Sequence, residues 1–153
     1  MSSNIMHSIA IKTTPARAYE AVTTERGLAG WYTPATKAEP RVGGTNEFTF
    51  GDYGALRFRV EKLEPSRHVD WVGVDCPPEW KGSHVSFDIK PEDENTITFT
   101  FSHTGLPSNY DGYACFNYLW GQYVRSIKLL LETGAGEPFG SEGSKTSRTT
   151  PTD

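Results

Sequence analysis

Trp31, Tyr32, Phe48, Phe50, Phe58, Trp71, Phe87, Phe99, Phe101, Phe116, Trp120 and Tyr123 are the residues around which any chemistry in this chain would be arranged. Each ring taken singly fills a core, as large apolar side chains generally do. As a group they say more. So many flat rings facing one element pack imperfectly, and a concave apolar site with a few polar groups is what a hydrophobic or aromatic ligand requires. His103 has the parity of Phe99 and Phe101 and points the same way. It is either a buried, hydrogen-bonded histidine or a polar handle and proton donor for a ligand. Tyr110, Tyr113, Tyr118 and Tyr123 could offer hydroxyls at a rim, although amphipathic packing is the plainer account. Arg57, Arg59 and Glu61 lie opposite Phe58 in parity and read as a solvated outer surface.

Other catalytic devices are scarce. The chain has no Gly-rich phosphate loop, no nucleophile elbow and no histidine pair at metal-ligand spacing; His7, His68, His84 and His103 are scattered. No metal, cofactor or catalytic residue is assigned. Cys115 opens a helix, where the dipole lowers a thiol pKa, yet no base stands near it in sequence and a small buried residue is the plainer reading. A catalytic pair assembled only by the fold stays open, and the sequence favours a non-enzymatic domain.

With 153 residues and a 36% hydrophobic content, one core is affordable and two are not. The net charge of −4, with no long run of either sign, argues against nucleic acid and against an anionic membrane as partners. Residues 1–11 have no basic segment followed by an uninterrupted apolar one, and nowhere do enough apolar residues run together to span a bilayer. Cys76 and Cys115 lie far apart with no metal-type spacing, which favours thiols in a reducing compartment over a disulfide. A soluble, cytoplasmic protein is expected.

The elements that must position the rings follow from periodicity. Residues 115–132 carry Phe116, Leu119, Trp120, Tyr123, Val124, Ile127, Leu130 and Leu131 at helical spacing, opposite Asn117, Gln122, Arg125, Lys128 and Glu132, and Gly134 stands where a left-handed cap is expected. Ahead of it, Ile5, His7, Ile9 and Ile11 alternate as a first strand. Thr14 and Pro15 open a short helix with Ala18, Tyr19 and Val22 inside, and a second turn carries Leu28, Trp31 and Tyr32. From residue 38 to 103 about six strands alternate cleanly, in the pairs of faces Leu56, Phe58, Val60 against Arg57, Arg59, Glu61, and Ile97, Phe99, Phe101, His103 against Thr96, Thr98, Thr100, Ser102. Serial strands with short turns predict an antiparallel sheet, buried on one face and curled around the one long helix. Residues 1–135 form the domain, and 136–153, whose one large apolar side chain is Phe139, are expected to be a disordered tail.

These features together resemble the START-like SRPBCC superfamily, in the branch similar to the activator of the ninety-kilodalton heat-shock chaperone's ATPase. The resemblance rests on Thr14, Pro15 and Ala16 through Val22, then Leu28 to Trp31 and Tyr32. It continues through the Pro40, Gly43, Gly44 turn before Phe48 and through Leu63 to Ser66 with Val69 and Trp71. Phe99, Phe101, His103, Gly105 and Leu106, and then Trp120 through Gly134, complete it. It departs at Leu119, where Gly often precedes the helix Trp, and at Tyr32, where a second Trp is common; both alter the lining more than the fold. The resemblance implies an α+β helix-grip fold with a cavity between sheet and helix, used by related proteins for hydrophobic small molecules, lipids among them. The eukaryotic activator docks on its chaperone through an additional N-terminal domain for which 153 residues leave no room, so that activity is not carried over.

The expected function is binding of a hydrophobic or aromatic small molecule by Trp31, Tyr32, Phe48, Phe58, Trp71, Phe87, Phe99, Phe101, His103, Phe116, Trp120 and Tyr123. The gates would be Trp31 with Tyr32, loop 77–80 and loop 106–110. A homodimer is compatible with this. Two alternatives stay open: a chaperone-associated protein-interaction module using the exposed sheet face, and a cavity enzyme with His103 or a tyrosine as acid or base. A void of about 300 Å³ or more favours the ligand site, whereas a filled core excludes it.

Overall fold

Strand parity decides the architecture. In the computed structural model, which describes residues 2–108 and 110–146, one antiparallel sheet runs in the order β1-β7-β6-β5-β4-β3-β2. Its strands are β1 (Ser2–Ile11), β2 (Thr36–Lys37), β3 (Thr45–Thr49), β4 (Ala55–Glu64), β5 (His68–Asp75), β6 (His84–Asp93) and β7 (Thr96–Pro107). Ile5 and Ile11, Phe58 and Val60, Val85 and Phe87, and Phe99, Phe101 and His103 all fall on the buried face, as the alternation predicts. Register shifts between Arg57 and Phe58 and between Val60 and Lys62 in the β4–β5 pairing increase the local twist and help the sheet curl.

Two short helices follow the first strand: α1 (Pro15–Thr23) and α2 (Glu25–Trp31). Thr14 caps the first by accepting from the Arg17 amide, and Pro15 takes the first position, where no intrahelical N–H is needed. Thr24 caps the second through the Gly27 amide. The long helix α3 spans Tyr113–Thr133 and ends at Gly134, whose φ of 90° is left-handed and whose N–H reaches the Leu130 carbonyl. It begins two residues earlier than the sequence stripe suggests.

Helix α3 lies along the edge strand β1, and the two run in the same direction. Tyr113 bonds the Asn4 carbonyl, His7 donates Nε2–H to the Asn117 carbonyl at 3.2 Å, and the Lys12 amide donates to Glu132 at 2.8 Å. The lengths match: nineteen helical steps rise about 28 Å and eight extended ones about 27 Å. The curled sheet and this helix enclose Trp31, Trp71, Phe48, Phe58, Phe87, Phe99 and Phe101, all fully buried. Each stabilises the fold by roughly 1.5–3 kcal/mol relative to an exposed side chain. This is the α+β helix-grip arrangement.

Residues 136–146, predicted from composition as tail, pack in the structure: they return along α3 and end in the short helix α4 (Glu142–Thr146). The remainder of that predicted tail, 147–153, lies outside the described residues.

Candidate functional site

Between the N-terminal half of α3 and the open end of the curled sheet lies a cleft of about 820 Å³. The helix contributes Cys115, Phe116, Leu119, Trp120 and Tyr123; α2 contributes Tyr32 from its C-terminus; the β3–β4 turn contributes Phe50, Asp52, Tyr53 and Gly54, with Leu56 beyond it. Pro77 and Trp80 form a third side, and Phe139, Gly140, Ser144 and Lys145 a fourth.

Trp80 owes its place to glycine. The loop 76–83 crosses β5 so closely that a Cβ on Gly73 would lie 2.4 Å from the Trp80 carbonyl oxygen. Gly73 and Gly82 also bond across this crossing, with the Gly82 amide donating to the Gly73 carbonyl at 2.9 Å. So seated, Trp80 stacks on Trp120 with ring centres 6.1 Å apart, meets Phe116 edge-on at 4.7 Å, and donates Nε1–H to the Tyr110 hydroxyl at 3.0 Å. Tyr32 is clasped in the same way: stacked on Trp31 and Trp120, with Phe48, Phe50 and Tyr123 meeting it edge-on. Aromatic pairs in these geometries contribute about 0.5–1.5 kcal/mol beyond burial, so the walls are stiff.

The hydroxyls of Tyr32 and Tyr123, whose rings meet edge-on, are both held neutral. Burial pushes Tyr32 well above the ordinary phenol range, with the nearby Tyr123 adding to it. Burial likewise pushes Tyr123 up to about 12, partly offset by a hydrogen bond with Ser144. At neutral pH they are hydrogen-bonding groups and poor bases.

His103 has no exposed surface and does not line the cleft. Trp120 donates Nε1–H to its Nδ1 at 3.2 Å, so Nδ1 is unprotonated and Nε2 carries the hydrogen. Nε2–H then donates to Ser83 Oγ at 2.8 Å, and that hydroxyl donates to the Trp80 carbonyl. Burial lowers the imidazole pKa to about 4. Of the two readings the sequence left open for His103, this geometry fits the buried, hydrogen-bonded histidine and not the polar handle or acid and base: both ring nitrogens are occupied by protein partners, and Trp80 and Trp120 pack against the ring. Its work is to tie loop 76–83 to α3.

Of the residues expected to line a ligand site, Tyr32, Phe116, Trp120 and Tyr123 meet at the cleft. Trp31, Phe48, Phe58, Trp71, Phe87, Phe99 and Phe101 form the packed layer behind it and reach no open space. Trp31 is no gate, because its Nε1–H donates to the Ala21 carbonyl at 2.7 Å in the interior. Loop 77–80 does border the cleft. In loop 106–110, Leu106 is buried, Tyr110 backs Phe116 in a parallel stack, and residue 109 lies outside the described residues. Leu119, noted in the sequence as a departure that alters the lining, does alter it. Asp52, Tyr53, Leu56 and, beyond α3, Phe139, Gly140, Ser144 and Lys145 were not singled out. A lone Phe139 in a polar stretch was the available signal for those beyond α3.

Among the described residues no cluster of histidine, cysteine and carboxylate side chains could hold a metal ion, and no helix is long and apolar enough to cross a membrane. Cys76 and Cys115 form no disulfide with each other, and burial together with Asp75 raises the Cys76 thiol pKa.

A long C-terminal helix gripped by a curled antiparallel sheet, with a cleft at one end, defines a START-like protein of the SRPBCC type. The model of the Activator of Hsp90 ATPase homolog 1-like protein family matches residues 12–132, and the chain belongs to that family. A solution structure of the Aha1 dimer from Colwellia psychrerythraea is similar at 34% identity, covering 88% of this chain and 99% of that one with a TM-score of 0.79. A conserved protein from Enterococcus faecalis shares the fold at 18% identity over 95% of this chain and 81% of its own, TM-score 0.74. A Mesorhizobium loti protein does so at 20% identity over 84% and 96%, TM-score 0.72. No curated protein matches.

Proposed function

We propose that this protein binds a hydrophobic or aromatic small molecule in the cleft between the sheet and the N-terminal half of α3. The observation that carries the reading is the cleft of about 820 Å³ itself, walled by Tyr32, Phe50, Leu56, Trp80, Phe116, Leu119, Trp120 and Tyr123. Sites for drug-sized ligands measure about 300–1,000 Å³, are mostly apolar and have a few placed polar groups, here the Tyr123 and Ser144 hydroxyls. Thermal unfolding in the presence of a panel of aromatic and aliphatic compounds tests it. A binder raises Tm by mass action, and Leu119→Glu, which puts a charge into the wall, should abolish the rise. A panel that never shifts Tm in the wild type argues against the proposal.

The family name supports a second reading, a protein-interaction module acting through the outer face of the sheet. That face is largely self-satisfied: Arg57 pairs with Glu47 and Asp75, Arg59 with Glu61, His68 with Asp88, and His84 with Asp70. With both arginines already paired to carboxylates, this face gives a partner little positive charge to steer on, so the cleft is the stronger claim. The Colwellia relative is a dimer, and a second copy of this chain is the protein partner we propose. Sedimentation velocity giving only monomer at high micromolar concentration would remove it.

A further inference from the structure

We propose that residues 135–146 are a strap that completes the ligand site: Phe139 closes its apolar wall and Ser144 and Lys145 supply its polar end. This rests on the small-molecule reading of the cleft. The family match stops at residue 132, so the strap lies beyond the matched module.

Its docking is built from backbone and shape rather than from apolar side chains. Gly134 turns the chain back on α3 with its left-handed φ of 90°. Gly136 then sits in a notch so narrow that a Cβ would lie 2.5 Å from the Gly30 carbonyl oxygen and 3.0 Å from Ser126 Oγ. The Glu137 amide donates to Ser126 Oγ at 2.7 Å, and that fully buried hydroxyl donates to the Trp31 carbonyl at 2.9 Å. Serine on the buried stripe of α3 is explained by this relay, which fastens the strap to α2 through the helix. The Glu137 carboxylate accepts from Gln122 and pairs with Arg125 on α3, and the Phe139 amide donates to the Tyr32 carbonyl at 2.8 Å. The Phe139 ring stands edge-on to Phe50 at 5.4 Å and to Tyr53 at 6.2 Å, bridging the strap to the β3–β4 turn.

The consequence is a polarised cleft. Trp80, Phe116, Leu119 and Trp120 make one end apolar; at the other, Ser144 bonds the Tyr123 hydroxyl and Lys145 lies in the wall, paired with Glu142 at 3.4 Å. The ligand class this fits is a ring-containing apolar body with a single oxygen-bearing head that can accept from Tyr123 or Ser144 or displace Glu142 from Lys145.

The probe for the test is 8-anilinonaphthalene-1-sulfonate, an aromatic body with an anionic head, used on the full chain. Hydrogen exchange of the wild type should show the Glu137 and Phe139 amides protected. Gly136→Ala forces a methyl group into backbone atoms and should release the strap without removing a lining side chain; Phe139→Ala removes the ring and leaves the notch intact. Each should speed probe dissociation about tenfold, the size expected for losing an aromatic contact in a desolvated site, with an unchanged denaturant midpoint for the core. Wild-type dissociation rates in both variants, or wild-type amides at 137 and 139 exchanging as in an unfolded peptide, would overturn the strap while leaving the cleft reading intact. Failure of all three proteins to bind the probe would remove the cleft reading and this inference with it.

Discussion

The two halves of α3 face different interiors. From Ser126 onward the helix meets tightly fitted partners: Ser126 bonds the Trp31 carbonyl, the Leu130 methyls fill the space beside Gly30, Lys128 reaches the Ala10 carbonyl and Glu132 holds the Lys12 amide. Besides Ser126, its buried side chains here are the aliphatic Ile127 and Leu131. Before Ser126 the buried side chains are Trp120, Tyr123 and Val124, Phe116 is half-buried, and the cleft opens beside them. Branched aliphatic chains adapt to the space between a helix and a sheet and can fill it. Flat rings held by edge-on and stacked contacts keep fixed orientations, and where loops meet them the space between rings stays open. The closed half anchors the grip and the open half carries the site.

Substitutions sharpen that contrast. The largest effect belongs to the packed layer: Phe87→Ala should lower the unfolding free energy by about 3–5 kcal/mol in denaturant titration, with probe affinity in the surviving native fraction unchanged. Next comes His103. Between its ordinary pKa of 6.5 and its folded value of about 4 the unfolded chain takes up a proton that the folded chain refuses. Stability is therefore intact above pH 6.5 and falls by about 1.4 kcal/mol per unit on acidification through that window, roughly 3 kcal/mol in all. His103→Gln, which does not titrate, should flatten this limb of the stability–pH curve, and an unaltered slope would contradict the sealed imidazole. In the open half, Phe116→Ala should cost only about 1–2 kcal/mol, less than a fully packed ring, yet abolish the ligand-induced rise in Tm. A loss as large as that of Phe87→Ala would erase the distinction between the halves. Trp120 discriminates poorly, because it both lines the cleft and bonds His103. The smallest effect is at the anchor. The Lys12 amide, with Lys128, holds the Glu132 carboxyl below the usual range, so its contribution is present at neutral pH and lost as pH falls through its lowered pKa. Glu132→Gln should cost less than about 1 kcal/mol and be neutral in acid.

The architecture was legible because it depends on period. Strands with one buried face must alternate, and the pairs Phe58 and Arg57 or Phe101 and Ser102 do so; the stripe of α3 and the cap at Gly134 are equally local signals. Parity says which residues point inward, not where the interior is open. Phe87 and Phe116 are alike in sequence as rings facing inward, and only the curl of the sheet and the crossing of loop 76–83 over Gly73 put one in the packed layer and the other at the cleft. The strap escaped for another reason. Composition registers apolar side chains, whereas residues 136–139 dock through two backbone amides, a glycine in a notch, the Glu137 carboxylate and one ring. His103 was legible as buried, but its tautomer depends on Trp120 and Ser83, which are far apart in sequence.

The most direct test of a ligand site at the open half is native mass spectrometry of the chain purified from its own host, alongside Leu119→Glu prepared identically. The account predicts a discrete added mass of small-molecule size on the wild type that gentle activation removes, and a bare chain for the variant. A wild type that flies at its own mass alone, under conditions that preserve other non-covalent complexes, would contradict it.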